Sequence, residues 1–303
     1  MICSDDLFCD TALAFHEIAT RAAIIMPETF NASYVPWPEA EAGFAAEFRP
    51  MPGVAASDAG VPLVLLHGLF GEAGNWGDCA ARLQQNLRVL TPDLPLFSLP
   101  FGRPLIETLS DHVLRLLDDR GISRAVVAGN SLGGHVALRL AMSHPERVEA
   151  LVLTGSSGLF ERGFESSVPR RPTRRYLEEK IREVFFDPAH VTESLLNAVV
   201  RTLTDTRKVL SILRLAKAAK RDNLNSLLHQ IRCPTLLVWG ENDIITPPSV
   251  ADDFNKLISG SRLHFIPQCG HAAMMEHPAE FARILDEFLS GIRSAPPSPL
   301  LCS

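Results

Sequence analysis

None of the six cysteines (Cys3, Cys9, Cys79, Cys233, Cys269 and Cys302) forms a Cys-x-x-Cys pair or joins a dense framework. That scatter excludes a zinc ribbon or a disulfide scaffold and fits reduced thiols in a cytosol. No apolar run reaches the roughly 18 residues of a membrane span. The opening Met-Ile-Cys-Ser-Asp-Asp is acidic where a signal peptide needs a basic region, so a cytoplasmic location is expected. Excess positive charge is also missing. A formal net charge of −6 gives polyanions no general attraction, and nucleic acid is not an expected partner. Phosphate loops, dinucleotide fingerprints and clusters of metal ligands are absent, so no cofactor and no metal are implied. What remains, at 303 residues with 46% hydrophobic and 21% charged content, is enough for one large core. Nothing in the sequence speaks to oligomeric state.

The first 45 residues carry no clear periodicity. A possible helix over Thr11–Ile25 precedes a Pro- and Ala-rich stretch at Val35-Pro36-Trp37-Pro38. Met26 offers a second start, which leaves residues 1–25 either part of a docking arm or an upstream extension outside the fold. From Val61 the pattern is regular. Val61–Leu66, Leu87–Pro92, Ala125–Gly129, Val148–Thr154, Pro234–Gly240 and Arg262–Pro267 are short apolar runs, expected as parallel strands covered on both faces. Helical patterns alternate with them at Trp76–Gln85, Ile106–Arg120, Leu132–Ser143, Pro248–Ile258 and Pro278–Ile292. The expected fold is therefore α/β, a doubly wound, mostly parallel sheet. Residues 156–229 break the alternation. They read as helices over Thr173–Phe186, Ala189–Thr204, Thr206–Lys220 and Asp222–His229, an all-helical lid inserted in a core of residues 46–155 and 230–293. The Pro- and Ser-rich tail, 294–303, is expected to be disordered.

Gly129-Asn130-Ser131-Leu132-Gly133 is a G-x-S-x-G motif placed between a strand and a helix, the context in which a sharp turn presents a serine above the sheet. Glycines at both flanks give the room that such a strained turn needs. A serine hydroxyl is a weak nucleophile until a base takes its proton. Among the ten histidines, His271 follows the last strand, at the same sheet edge. His16, His112, His144, His229, His264 and His277 sit on helices or strands without reason to meet Ser131, and His135 and His190 are expected to be structural. The imidazole needs a carboxylate behind it. Asp243, just past the strand Thr235–Val238, is the expected partner, with Glu241 a rival expected to face solvent. For the oxyanion of a tetrahedral intermediate, the expected donors are the backbone N–H groups of Leu69 and Leu132. His67 and Gly68 shape the first of those loops, and Asn130 supports the turn.

With these residues the chain resembles the α/β-hydrolase family from about Val61 to Ile292. The motifs are His67-Gly68 with Gly71, Asn75 and Trp76; Pro92-Asp93; Gly129-Asn130-Ser131-Leu132-Gly133-Gly134; Trp239-Gly240-Glu241-Asn242-Asp243; and Gly270-His271 before Glu276-His277-Pro278. The chain order Ser131, Asp243, His271 is that of the fold. The resemblance is specific for fold and much less so for substrate. Related dehalogenases and epoxide hydrolases use aspartate where this chain has Ser131. The elbow is most similar to that of the meta-cleavage-product hydrolases, which split C–C bonds. Those enzymes usually carry Trp after the histidine, where this chain has Ala272, and an arginine on the lid that holds the substrate carboxylate.

Arg170, Arg171, Arg174 and Arg175 are best read as a solvated lid surface, because four charges in six positions cannot all face a pocket. Phe160, Phe185 and Phe186 are expected in lid core or pocket wall. The leading functional expectation is a serine hydrolase acting on a small, mostly apolar ester through an acyl-enzyme. Its alternatives are C–C hydrolysis of an oxo-dienoate and, from another class, a non-catalytic ligand-binding receptor on the same fold.

Overall fold

The structure, a computed structural model, describes residues 60–84, 86–162 and 173–294. The expectations for residues 1–45, for Arg170 and Arg171, and for the tail lie outside the described residues, except that Ser294 closes the last helix.

All six expected runs are strands: β1 (Val61–Leu66), β2 (Leu87–Leu90), β3 (Ala125–Asn130), β4 (Val148–Thr154), β5 (Thr235–Gly240) and β6 (Arg262–Ile266). They pair in parallel in the order β2-β1-β3-β4-β5-β6. Side chains alternate across a strand, so a sheet covered on both faces needs two apolar sets per strand. In β1, Val64 and Leu66 enter one cluster and Leu63 and Leu65 the other; in β5 the corresponding pairs are Leu237 with Trp239 and Leu236 with Val238.

Nine α-helices lie among the described residues: α1 (Gly77–Ala80), α2 (Leu105–Asp119), α3 (Leu132–Ser143), α4 (Arg174–Arg182), α5 (Glu193–Leu203), α6 (Thr206–Arg221), α7 (Pro248–Leu257), α8 (Ala273–Glu276) and α9 (Pro278–Ser294). Helices α2, α3 and α7 cover the first face, with Leu109, Leu140 and Phe254 fully buried. Helices α1 and α9 cover the second, where Trp76 meets Phe281 edge-on at 5.7 Å between ring centres. Burying each such leucine or phenylalanine stabilises the fold by about 1.5–3 kcal/mol.

Two helical expectations are corrected. Only Gly77–Ala80 of the Trp76–Gln85 pattern is α-helical, because the hydrogen bonds of Arg82 and Leu83 tighten to the third residue back and turn the chain toward β2. The Asp222–His229 segment is a turn ending in a 3₁₀ helix, Leu228–Gln230. There Asp222 caps α6, the Leu224 N–H donates to the Gly158 carbonyl at 2.7 Å, and the Asn223 side chain accepts from the Asn225 N–H. Leu224 and Leu228 are fully buried, which is what gave the segment its helix-like periodicity. Asp222 also binds Arg139 through both carboxylate oxygens and lies 3.1 Å from His135 Nε2, tying the end of α6 to α3.

The pairing Leu66 with Gly129, Gly129 with Leu153, and Gly240 with Ile266 brings the strand ends level at one edge. The loops after β1, β3, β4, β5 and β6 all leave there. In open parallel sheets this is the edge that binds ligands.

Candidate active site

The turn from β3 into α3 is tight. A methyl group on Gly129 would lie 2.3 Å from the backbone of Gly133, so no side chain fits at residue 129. Ser131, next but one, has φ 53° and ψ −119°, a conformation that costs a non-glycine residue about 1–3 kcal/mol. Four backbone hydrogen bonds hold it. Its N–H donates to the Thr154 carbonyl at 3.1 Å, and its carbonyl accepts from Gly134 at 3.0 Å, His135 at 3.2 Å and Ser157 at 3.2 Å. The serine is thereby fixed at the start of α3, at the carboxyl edge of the sheet.

The loop after β1 folds against this turn. A Cβ on Gly68 would come within 3.2 Å of Ser131 Cβ. His67 is buried with both ring nitrogens in use: Nδ1–H donates to the Gly68 carbonyl at 2.9 Å, and Nε2 accepts from the Leu94 N–H at 2.9 Å. Burial lowers its proton affinity despite the Gly68 bond and the nearby Asp93 and Glu72, so the neutral ring braces the loop. Among the described residues, no backbone hydrogen bond outside the helices and strands uses the N–H of Leu69 or of Leu132, the two amides expected to meet an oxyanion.

Asn130 connects the serine turn to the histidine loop. It is buried, and its amide Nδ2 donates to two carbonyls, Thr154 and His271, each at 3.1 Å. The His271 ring faces Asp243. His271 Nδ1–H donates to Asp243 Oδ2 at 2.9 Å, with both side chains nearly removed from solvent. Asp243 is further fixed by the N–H groups of Ile245 at 2.8 Å and Thr246 at 2.9 Å on Oδ1, and by the Thr246 hydroxyl at 2.8 Å on Oδ2. Glu241 is exposed, as expected of a turn residue.

The electrostatics follow from this pairing. Burial alone would raise the Asp243 carboxyl, but the charge and hydrogen bond of His271, with the bonds from Thr246, hold it below the ordinary carboxylate range. Burial alone would likewise lower His271. The charge and hydrogen bond of Asp243, helped by Glu161, outweigh it and leave His271 above the ordinary histidine value. With Nδ1 engaged by Asp243, the other ring nitrogen of His271, Nε2, lies on the opposite side of the ring.

Thr246 was missed by sequence reasoning. Its hydroxyl also lies 3.3 Å from His271 Nδ1, and its carbonyl accepts from Trp239 Nε1 at 2.7 Å. The signal available was an aspartate three residues before a threonine in a Pro-flanked turn, where Asp side chains bond their own backbone. Of those arginines, the described pair, Arg174 and Arg175, do not join the site. Arg174 binds Glu193 and Asn197, and Arg175 binds Glu179, on exposed helix faces. Of the three phenylalanines, only Phe185 is buried; Phe160 and Phe186 are 58% and 44% exposed. No group of three or more His, Cys, Asp or Glu among the described residues could hold a metal ion.

Residues 63–284 match the family model described as the alpha/beta hydrolase family. The chain belongs to that family. The alpha/beta hydrolase is 31% identical over 249 residues to the pimeloyl-[acyl-carrier protein] methyl ester esterase of Nitrosomonas europaea, covering 75% of this chain and 95% of the esterase. It is 32% identical over 250 residues to the 2-hydroxy-6-oxo-6-(2'-aminophenyl)hexa-2,4-dienoic acid hydrolase of Metapseudomonas resinovorans, covering 76% and 84% of the two chains. Among solved structures, an alpha/beta hydrolase enzyme from the metagenome of lagoon sediments at Mar Chica, Morocco, superposes with a TM-score of 0.62 at 35% identity, covering 77% and 91%. The protein is a hydrolase enzyme with relatives of both the ester-cleaving and the C–C-cleaving kind.

Proposed function

We propose that this hydrolase cleaves a small, mostly apolar ester through an acyl-enzyme on Ser131. The observation that carries the proposal is the buried His271–Asp243 pair at 2.9 Å, tied by Asn130 to the strained turn that holds Ser131. His271 takes the hydroxyl proton of Ser131 at Nε2 as Oγ attacks the carbonyl carbon. Asp243 holds the ring in that tautomer and stabilises the imidazolium. The N–H groups of Leu69 and Leu132 bind the oxyanion, with His67 and Gly68 shaping the first of them. The proton passes to the departing alcohol. Water, deprotonated by the same histidine, then attacks the acyl-enzyme and releases the acid and Ser131.

In this reading residues 46–155 and 230–293 are the core, and the helical segment 156–229 is a lid that closes over the substrate and excludes bulk water. The substrate is a small molecule, nucleic acid is not a partner, and the scattered thiols suit the cytoplasm. The described cysteines, Cys79, Cys233 and Cys269, are unpaired, and no described helix is long and apolar enough to cross a membrane.

A second reading, C–C hydrolysis of an oxo-dienoate, is favoured by the Gly-Asn-Ser-Leu-Gly-Gly elbow and by the 32% identical dienoic acid hydrolase. Against it stand Ala272 and the engagement of Arg174 and Arg175 by acidic neighbours. The test is hydrolysis of p-nitrophenyl esters of rising acyl length beside bleaching of a coloured oxo-dienoate, with wild type and Ser131→Ala. Ester turnover lost in the variant supports the proposal. Faster bleaching than ester turnover transfers it to the second reading, and ester turnover retained in the variant overturns the mechanism.

A further inference from the structure

A buried carboxylate outside the machinery described above joins two loops that are far apart in sequence. Glu276 ends α8 and is 8% exposed. Its Oε1 accepts from the N–H of Gly270 at 2.6 Å. Its Oε2 accepts from the N–H groups of Phe186 at 2.7 Å and Asp187 at 3.1 Å. Gly270 precedes His271, while Phe186 and Asp187 follow α4 in the helical segment. The same two strips of backbone also bond directly, the His271 N–H donating to the Val184 carbonyl at 2.8 Å.

Their approach is close enough to fix the residue type at 270. A Cβ on Gly270 would lie 2.6 Å from the Val184 carbonyl oxygen and 2.9 Å from the Phe186 nitrogen. Phe185, between them in sequence, is buried in the cluster that contains Ile266, Cys269 and Ala272. Two acceptor oxygens without a donor are what three converging N–H groups need, and a carboxylate supplies them. An amide would turn an NH₂ group toward one set of donors or the other.

We propose that Glu276 is a positioning residue that clamps Val184–Asp187 to the loop carrying His271, so that the histidine is held in register only while that part of the lid is seated. The inference rests on the proposed serine mechanism. It makes the lid part of the support of the base as well as a cover for substrate. A lid segment that lifts takes with it the acceptor of the His271 N–H and leaves Glu276 only its partners on the histidine loop, the Gly270 N–H and the Cys269 thiol 4.0 Å away.

The test uses the full-length chain, Glu276→Gln on the loop side, Phe185→Ala on the lid side, and the double variant. Three readouts are taken: kcat and KM on p-nitrophenyl butyrate, the rate of Ser131 labelling by a fluorophosphonate, and amide exchange by mass spectrometry. Each single variant is expected to lower kcat and labelling by about ten- to a hundredfold, the scale of an ångström-level misplacement, with KM changed about twofold or less. In each, amides of 184–187 and 270–271 are expected to lose protection together. The double variant is expected to be no more than about threefold worse than the worse single one, since both open the same contact.

Multiplying losses overturn the clamp, as does exposure of 184–187 with 270–271 protected and kcat unchanged. Should Glu276→Gln fail to fold, Phe185→Ala decides, because lid-side damage alone must then unprotect 270–271 and slow labelling. Folded wild type that does not label overturns the serine mechanism and this inference with it. Wild-type labelling rates in both variants overturn this inference alone.

Discussion

Replacing Asn130 separates the serine turn from the histidine loop without touching either reacting side chain. Its Nδ2 donates to two buried carbonyls, and they are not equally dependent on it. The Thr154 carbonyl also accepts from the Ser131 N–H, whereas the His271 carbonyl has no other backbone donor among the described residues outside the helices and strands. Asn130→Ala therefore removes one bond of about 1 kcal/mol and orphans one acceptor at about 1–3 kcal/mol, roughly 2–4 kcal/mol together. At about 2–4 °C per kcal/mol for a domain of this size, the melting temperature should fall by about 5–15 °C. The freed histidine loop should lower kcat by about tenfold or more. Asn130→Asp sharpens the argument, because it keeps the shape and replaces the donor with a third acceptor. It should be less stable than the alanine variant by about 2 kcal/mol or more, the cost of a buried charge facing oxygens. Thermal melts of both variants and of wild type decide. An aspartate variant as stable as the alanine one would refute the view that donation to these carbonyls is what residue 130 supplies.

Further outcomes follow from the same site. His271 must be neutral to act as base, and Asp243 raises it, so kcat/KM should fall on acidification with a midpoint above 6.5, the ordinary histidine value. In Asp243→Asn burial acts unopposed by that charge, and the midpoint should drop below that of wild type while kcat falls by about 10⁴-fold, as in comparable triads; pH–rate profiles check both. Thr246→Val removes one donor from Asp243 at near-constant volume and should cost about 1.5–3 kcal/mol in denaturant melts. It should also shift the His271 midpoint slightly upward, because the less solvated carboxylate attracts the imidazolium more strongly.

The sheet was legible because each strand is covered on both faces, which forces continuous apolar runs such as Val61–Leu66 and Val148–Thr154. The serine turn was legible for a partly local reason, since Gly129 is required by a contact with the backbone of Gly133, four residues on, while Gly133 is required by the approach of the Leu66 and His67 carbonyls. Order along the chain then singled out Asp243 and His271. Segment 222–229 misled because Leu224 and Leu228 are buried at helical spacing, while the helix ends at Asp222, whose side chain is held by Arg139, and the Asn223 side chain accepts from the Asn225 N–H. Thr246 was missed although its bonds to Asp243 are local, whereas Glu276 was missed as a site residue because its partners on the helical segment are brought to it by the tertiary fold. Glu276 gathers amides some 90 residues away, and no periodicity or local motif records that.

The central claim is that Ser131 is an activated nucleophile. Intact-mass measurement of wild type and Ser131→Ala after exposure to a fluorophosphonate tests it most directly, since the reagent bonds only to a serine whose proton a base can take. A single adduct on wild type, mapped to Ser131 and absent from the folded variant, is the predicted result. Folded wild type that gains no mass, or a variant that gains the same mass, would contradict it and give weight to a binding role for the fold.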